Sequence, residues 1–417
     1  HKNSILLFNQ MKINKCRSCK SKQLKQAFSL GEQYLTGIFP RNKKESITKG
    51  HLSMVICKNC SLLQLEHSFD SDEMYGDNYG YMSSLNQSMF EHLRNKVPKL
   101  KKKVQLSYKD IIVDIGSNDG TFLSFFDRKF KLIGVDPTIK KFSKYYRKDI
   151  LQIPEFFSYD ILKNKLNNKK AKLITTISMF YDLPNPIKFV EDVYNILDKN
   201  GLWHLEQSYM PSMIRNFSYD TICHEHLEYY SLKSIKFILD KVGFKIIDIE
   251  FNDINGGSFA LTVAKKNSAY IENKKIVEWL LEKEEILKYN ELATHKNFYK
   301  ECLKQKKLLV DLLKNLKDMK KKVLGYGAST KGNVILQFCN IDEKLIENIG
   351  EVNKYKFNKF TPGSNIKIIS EKQMKSLKPD YLLVLPWHFK DFIVKKEKKF
   401  LTDGGRLIFP LPDIEII

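Results

Sequence analysis

The hydrophobic pattern is most informative from Lys109 to Phe126 (KDIIVDIGSNDGTFLSFF). IIVDI (Ile111–Ile115) is a short apolar run rich in β-branched residues, as in a buried parallel strand. GSNDG (Gly116–Gly120) then breaks the pattern as a turn, and TFLSFF starts a helix. KLIGVDP (Lys131–Pro137) reads as a second strand, ending in Asp136. The series continues through PEFFS (Pro154–Ser158) to AKLITTISMFYDLPNP (Ala171–Pro186), a fourth strand and its loop. Helix FVEDVYNIL and strand LWHLEQS (Leu202–Ser208) follow, and GFKIIDIEF and SFALTVAKK read as a closing antiparallel pair. Long Lys/Glu-rich helical segments fill about 270–322. VLGYGASTKGNVIL (Val323–Leu336) then repeats strand, glycine turn and helix, with YLLVLPWHF and GGRLIFPLP as later strands of a second parallel sheet. The pattern divides the chain into 1–95, 96–265 and 266–417.

Length agrees with that division, because 417 residues exceed one hydrophobic core. No apolar run approaches a membrane span. SILLFNQM near the start is short and lacks a small-residue cleavage site, so no signal peptide is read there. The formal charge of +22 raises the question of a polyanionic partner. The lysines are spread along the chain, and clusters such as KLKKK (Lys99–Lys103) lack the interleaved aromatics of a nucleic-acid groove. Neither nucleic acid nor membrane is therefore the expected partner. Seven cysteines, four of them in two tight pairs, argue against a secreted disulfide framework and for the cytoplasm.

Those pairs are C-R-S-C (Cys16, Cys19) and C-K-N-C (Cys57, Cys60). Four thiolates satisfy a tetrahedral Zn²⁺ with no open position, which makes the expected site structural. MYGDNYGYMSS (Met74–Ser84) reads as an aromatic loop, either half-buried packing or a ligand wall. In the GSNDG turn, glycines permit close backbone approach, and an acid at the next strand's end accepts ribose hydroxyls. The turn is not the G-x-G-x-x-G of a dinucleotide site. Asp114-Ile-Gly116-Ser-Asn-Asp-Gly120, followed by Asp136, is similar to the S-adenosylmethionine (SAM) site of class I methyltransferases, and NAD is the lesser alternative. The expected cofactor contacts are Asp114, Gly116, Ser117, Asn118, Gly120, Asp136 and Pro137, with Ser178 and Met179 at the fourth strand's end. HEHLEYYS (His224–Ser231) follows the LWHLEQS strand and falls at the carboxyl edge of the sheet. It admits three readings: a metal clamp, a satisfied structural cluster, or an acid–base centre. The glycine turn of the third part, with Lys331 beside it, is either a phosphate or ribose cradle or a packing turn.

In this order the pieces resemble the SAM-dependent sugar C-methyltransferases, which act on nucleotide-linked ketosugars in deoxysugar biosynthesis. The matching motifs are the paired CxxC, Tyr79-Gly-Tyr81-Met-Ser-Ser, VDIGSNDG, CHEHLEYYS, INGGS (Ile254–Ser258) and GYGASTKGN (Gly325–Asn333). The resemblance implies an α/β fold: a class I Rossmann-like SAM domain flanked by a small N-terminal zinc domain and a C-terminal Rossmann-like domain. It implies His226 as base, Glu225 as neighbouring acid and Tyr81 as a loop tyrosine of the site. It also implies substrate contacts at Asn255, Ser258, Ser329, Lys331 and Asn333. Two departures stand out. Cys223 precedes H-E-H where the family often has tyrosine, and the usual G-A-P-A-K-G-N reads G-A-S-T-K-G-N.

The chemistry such an enzyme needs can be derived. Carbon is a poor nucleophile, so a base must take a proton next to a ketone while donors stabilise the enolate oxygen. Histidine suits the base role, and Tyr81, Tyr79 or His224 would donate. The expected reaction is C-methylation, at C-3 of a 4-keto sugar, by a monomer. Two rivals are an O- or N-methyltransferase acting on a small acceptor and a zinc-containing nucleic-acid-binding protein.

Overall fold

The computed structural model describes residues 11–70, 74 and 81–417. Leu24–Tyr34 (β1), Lys49–Cys57 (β2) and Leu63–Leu65 (β3) form an antiparallel meander. Alternate β2 residues Leu52, Met54 and Ile56 enter one core, as period-two geometry requires. Gln87–Lys103 (α1) follows, capped by the Asn86 side chain on the Met89 amide and ending in three lysines, where the helix dipole favours positive charge. Its stripe Met89, Leu93, Val97 and Leu100 packs against the central sheet residues Ile112, Leu173 and Leu202. The domain boundary expected at 95 falls inside this one continuous helix, so the central unit begins before residue 87.

Ile111–Ile115 (β4), Lys131–Val135 (β5), Leu151–Ile153 (β6), Ala171–Ile177 (β7) and Leu197–Ser208 (β8) are parallel. Ile111, Val113 and Ile115 enter one core and Ile112 the opposite one. A strand covered on both faces explains the unbroken apolar run. After β8 the chain leaves this sheet, and Glu228–Tyr229 (β9) adds to the edge of the meander beside β3. It returns as Phe244–Asn252 (β10) and Ser258–Lys265 (β11), which close the sheet in the order β10-β11-β8-β7-β4-β5-β6.

The long helix Leu292–Asp318 (α2) leads to the third unit. Val323–Tyr326 (β12) and helix Thr330–Phe338 (α3) open it. Asn348–Glu351 (β13), Lys367–Ser370 (β14), Tyr381–Val384 (β15) and Arg406–Phe409 (β16) join β12 in parallel, and Glu415–Ile416 (β17) pairs antiparallel at the edge. The hydrophobic cores do not follow the three-part division. Phe28 and Met54 of the meander share a core with Phe298 and Leu313 of α2, with Tyr219 and Tyr229, and with the third sheet. The meander is thus completed by β9 and covered by α2, so residues 1–95 do not form a self-contained unit.

Its other end carries the cysteines. Each CxxC is followed by a left-handed residue, Lys20 (φ 62°) and Ser61 (φ 62°). The Lys20 amide returns to the Cys16 carbonyl at 3.1 Å and the Ser61 amide to the Cys57 carbonyl at 2.9 Å. These two matching turns aim four sulfurs at one point, all within 4.8 Å of one another. Cys16 and Cys60 Sγ lie 3.6 Å apart, and Cys19 and Cys57 Sγ 3.4 Å apart. The Zn–S bond of ~2.3 Å gives a tetrahedral edge of ~3.8 Å, so a Zn²⁺ fits between them. Around the cage, the Gln64 side-chain amide donates to Cys16 Sγ at 3.2 Å. Arg17, buried, donates to the Leu65 and His67 carbonyls at 2.6 and 3.0 Å. Cys16, Cys57 and Cys60 belong to the central-domain core, with Tyr181, Tyr209 and Tyr230. Cys60→Ser is therefore expected to lower zinc content from about one per chain to near zero, and to depress the melting temperature by about 5 °C or more. Elemental analysis and calorimetry check both.

Candidate active site

Two cavities of about 460 and 490 Å³ open beside the carboxyl ends of the central strands, and Tyr81, Met89, Ser178 and Asp182 line both. The first is built on the β4 turn. Gly116 (φ 77°) sits where an added Cβ would lie 2.8 Å from Met179 Cγ, so glycine alone fits. Asp114, buried, accepts from Thr175 Oγ1 at 2.6 Å, and burial raises its carboxyl to about 7. Asp136, at the end of β5, accepts from the Asn118 amide at 2.9 Å and from the Thr138 amide at 2.7 Å. Ser117, Pro137 and Met179 complete the wall, with Phe156 and Phe157 on the far side.

The same turn holds residues 81–84, the end of the tyrosine segment. Asn118 Oδ1 accepts from the Ser83 amide at 3.0 Å, and Asp119 Oδ2 accepts from the Ser84 amide at 3.0 Å. Asn118 Nδ2 donates to the Tyr81 carbonyl at 3.2 Å. Tyr81, which lines both cavities, is thus tied to the turn beneath it.

The second cavity lies between the central and third units. Cys223, Glu225, His226 and Asn255 come from one side, and Ser329, Lys331 and His388 from the other. Ser329 caps α3, accepting from the Gly332 amide at 2.9 Å, so the helix start faces the cavity. Lys331 Nζ donates to the Asn255 carbonyl at 2.5 Å, and Asn255 Nδ2 donates to Ser178 Oγ at 3.2 Å. Lys356 donates to the Ala328 carbonyl at 2.7 Å.

His226 is held by one bond with one possible direction. Its Nδ1 lies 2.7 Å from the Thr221 carbonyl, which only accepts. Nδ1 therefore carries the proton, and in the neutral ring Nε2 carries the lone pair. Burial lowers the imidazolium to about 3, with the positive charge of Lys331 acting the same way, so the ring is neutral near pH 7. The Tyr181 ring packs on it at 4.2 Å. Beside it, burial raises the Glu225 carboxyl. An added Cβ at Gly37 would lie 2.5 Å from Glu225 Oε1, so glycine there makes room for the acid. Burial thus favours the uncharged form of both neighbours, the imidazole with its Nε2 lone pair and the carboxyl with its proton.

Three family models tile the chain: a zinc binding domain over 16–75, a methyltransferase domain over 85–249, and a C-methyltransferase C-terminal domain over 253–412. The C-methyltransferase NovU of Streptomyces niveus is 28% identical over 409 residues, covering 97% of both chains. The chain is a SAM-dependent methyltransferase, similar along nearly its whole length to a C-methyltransferase. Among solved structures, a SAM-dependent methyltransferase from Clostridium acetobutylicum is 14% identical, covering 42% of this chain and 92% of its own, with a TM-score of 0.35. The plantazolicin methyltransferase BpumL in complex with S-adenosylhomocysteine is 13% identical, covering 43% and 86%, with a TM-score of 0.35. The enzyme uses SAM, and its four-cysteine cage is a structural zinc site.

Several residues expected at the site of the enzyme lie elsewhere. Gly120 lies off both cavities, where an added Cβ would meet the Tyr146 ring at 2.7 Å. His224 is fully buried, with Nε2 3.2 Å from the Gly50 carbonyl and its ring edge-on to Phe69. It supports the meander and does not reach the cavity. Ser258 is buried and donates to the Ile254 carbonyl at 2.8 Å. Asn333 is buried and donates to the Thr36 carbonyl at 2.7 Å, tying α3 to the meander. Tyr79 lies outside the described residues. Conversely, Tyr181, Asp182 and the Thr221 carbonyl were not foreseen. Tyr181 and Asp182 follow Ser178 and Met179 within the loop already marked, which was the available signal. A backbone carbonyl leaves no trace in residue identity.

Asn118→Ala removes an acceptor and a donor that hold residues 81–84. It is expected to cost about 1–3 kcal/mol of local order, with Ser83 amide exchange speeding tenfold or more and global melting little changed. Hydrogen-exchange mass spectrometry reads the difference.

Proposed function

We propose that this enzyme transfers the SAM methyl to a ring carbon next to a ketone, C-3 of a nucleotide-linked 4-keto deoxysugar, through an enolate. The observation that carries the reading is the pair of adjoining cavities with His226 in the second, its Nδ1–H committed to a carbonyl and its Nε2 free to take a proton. SAM, when bound, supplies an electrophilic methyl on a sulfonium and so needs no activation by the protein. Asp114, Asp136 and the turn from Gly116 to Asn118 form the polar wall for it, with Ser178 and Met179 at the end nearest the second cavity.

His226 takes the proton next to the ketone. The positive charge of Lys331 opposes protonation of the ring but stabilises negative charge growing on the ketone oxygen. Tyr81, which lines both cavities, is the other donor to that oxygen, and Glu225 stands beside His226 as the neighbouring acid. Ser329, Lys331, Lys356 and the start of α3 favour the anionic diphosphate of a nucleotide sugar. The name of the relative, a C-methyltransferase matching along nearly the whole chain, supports carbon as the acceptor. The reading makes the enzyme a cytoplasmic monomer with no nucleic-acid partner. Many lysines engaged in surface ion pairs, such as Lys12–Glu66 and Lys101–Asp127, support the last point.

The direct test is mass spectrometry of SAM turnover against a panel of nucleotide-linked 4-keto sugars, with the acceptor carbon identified by NMR. A methyl found on oxygen or nitrogen would overturn the reading. His226→Ala is expected to lower kcat by about 10³-fold or more and to stop solvent deuterium exchange next to the ketone, with SAM affinity kept. Asp114, at about 7, is half protonated at neutral pH, and a cationic ligand binds its ionised form better. The SAM Kd is therefore expected to fall roughly fivefold from pH 6 to 7 and to flatten above, while Asp114→Asn binds weakly with no such step. Calorimetry across pH checks this.

A further inference from the structure

The carbonyl that holds His226 belongs to the short 3-10 turn Tyr219–Thr221, and that turn is itself gripped from the third unit. Trp387 Nε1 donates to Asp220 Oδ2 at 2.8 Å, in a bond that is fully buried. One residue earlier, the Tyr219 hydroxyl lies 3.4 Å from Cys339 Sγ, and its ring is 4.8 Å from Phe338 at the end of α3. One residue later, the Thr221 carbonyl accepts from His226 Nδ1 and, at 3.4 Å, from the Tyr229 hydroxyl. Trp387 has a second contact. An added Cβ at Gly256 would lie 3.2 Å from its ring, so the indole rests against the INGG turn that carries Asn255 into the cavity. Its neighbours Pro386, His388 and Phe389 line the cavity, whereas Trp387 and Asp220 do not.

We propose that Trp387 and Asp220 are positioning residues that aim His226. The indole N–H holds Asp220, and with it the turn whose next carbonyl sets the direction and tautomer of the imidazole. The physical case is that a 3-10 turn of three residues has little rigidity of its own. Its placement comes from what it bonds to, and a base must stay within hydrogen-bond reach of the proton it takes. Trp387 belongs to the unit that forms the opposite wall of the cavity. The turn is therefore correctly set only when that wall is in place, which couples acceptor binding to the geometry of the base. The inference rests on the reading of His226 as the base.

The test uses the full-length zinc protein with SAM, and dTDP-linked and UDP-linked 4-keto-6-deoxyhexoses as probes. Trp387→Phe keeps the ring and removes the N–H. It is expected to lower kcat and the rate of solvent deuterium exchange next to the ketone together, by about 10–100-fold, with KM and SAM Kd within about threefold. Asp220→Ala is expected to show the same loss. Asp220→Asn, whose amide oxygen still accepts from the indole, recovers most of it. In ¹⁵N-histidine spectra of the protein without substrate, His226 is expected as the Nδ1–H tautomer in the wild type and as a mixture in Trp387→Phe, a change that a loss of stability alone does not produce. If Trp387→Phe exchanges and turns over within twofold of the wild type, or if Asp220→Asn is as impaired as Asp220→Ala, the inference fails. If the wild type itself exchanges no deuterium with either probe, the failure belongs to the reading of His226 as base.

Discussion

A backbone carbonyl can only accept a hydrogen bond, and at this site that limitation organises the rest. The Thr221 carbonyl forces the proton of His226 onto Nδ1 and leaves Nε2 open. Burial keeps the ring neutral, because a charged imidazolium in this wall would lose its hydration and face Lys331. A neutral ring in a fixed tautomer needs no rearrangement before it receives a proton.

That arrangement depends on contacts from every part of the chain. The meander supplies Gly37, which leaves space for Glu225. The GSNDG turn supplies Asn118 and Asp119, which hold Ser83 and Ser84. The third unit supplies Lys331 and the grip of Trp387 on the turn before His226. The segment from 209 to 231 leaves the central sheet, packs with the meander and α2, and returns, so His226 sits where three units meet. The zinc cage stabilises this junction from the outside, since three of its cysteines share a core with Tyr181, whose ring lies on His226.

Much of the fold was legible because it follows from local rules. Short apolar runs marked β4, β5 and β7, the first of them ending at a glycine turn, and the paired CxxC spacing marked the cage. The boundary expected at 95 falls within α1, where a continuous apolar stripe at helical spacing carries the packing. In the site, residues on the strand ends were legible, since a parallel sheet brings its carboxyl ends to one edge. His224 and His226 look alike in sequence. Two residues apart in a turn, they point to different surroundings, one to Gly50 and Phe69, the other to the cavity.

The sequence by itself determined the kinds of chemistry present: four thiols for a metal, an acid–glycine turn for a cofactor, and a histidine–glutamate pair. Those depend on residue type and short spacing, which the chain carries explicitly. Only the tertiary structure decided which of these groups meet. It placed His226 on the second cavity and His224 against Gly50 and Phe69, turned Asn118 from a cavity wall into a loop clamp as well, withdrew Gly120, Ser258 and Asn333 into packing, and brought in Trp387 across 167 residues to Asp220. The physical reason is that tautomer, direction and burial are set by neighbours distant in sequence, and a backbone carbonyl can impose them without any side chain to announce it.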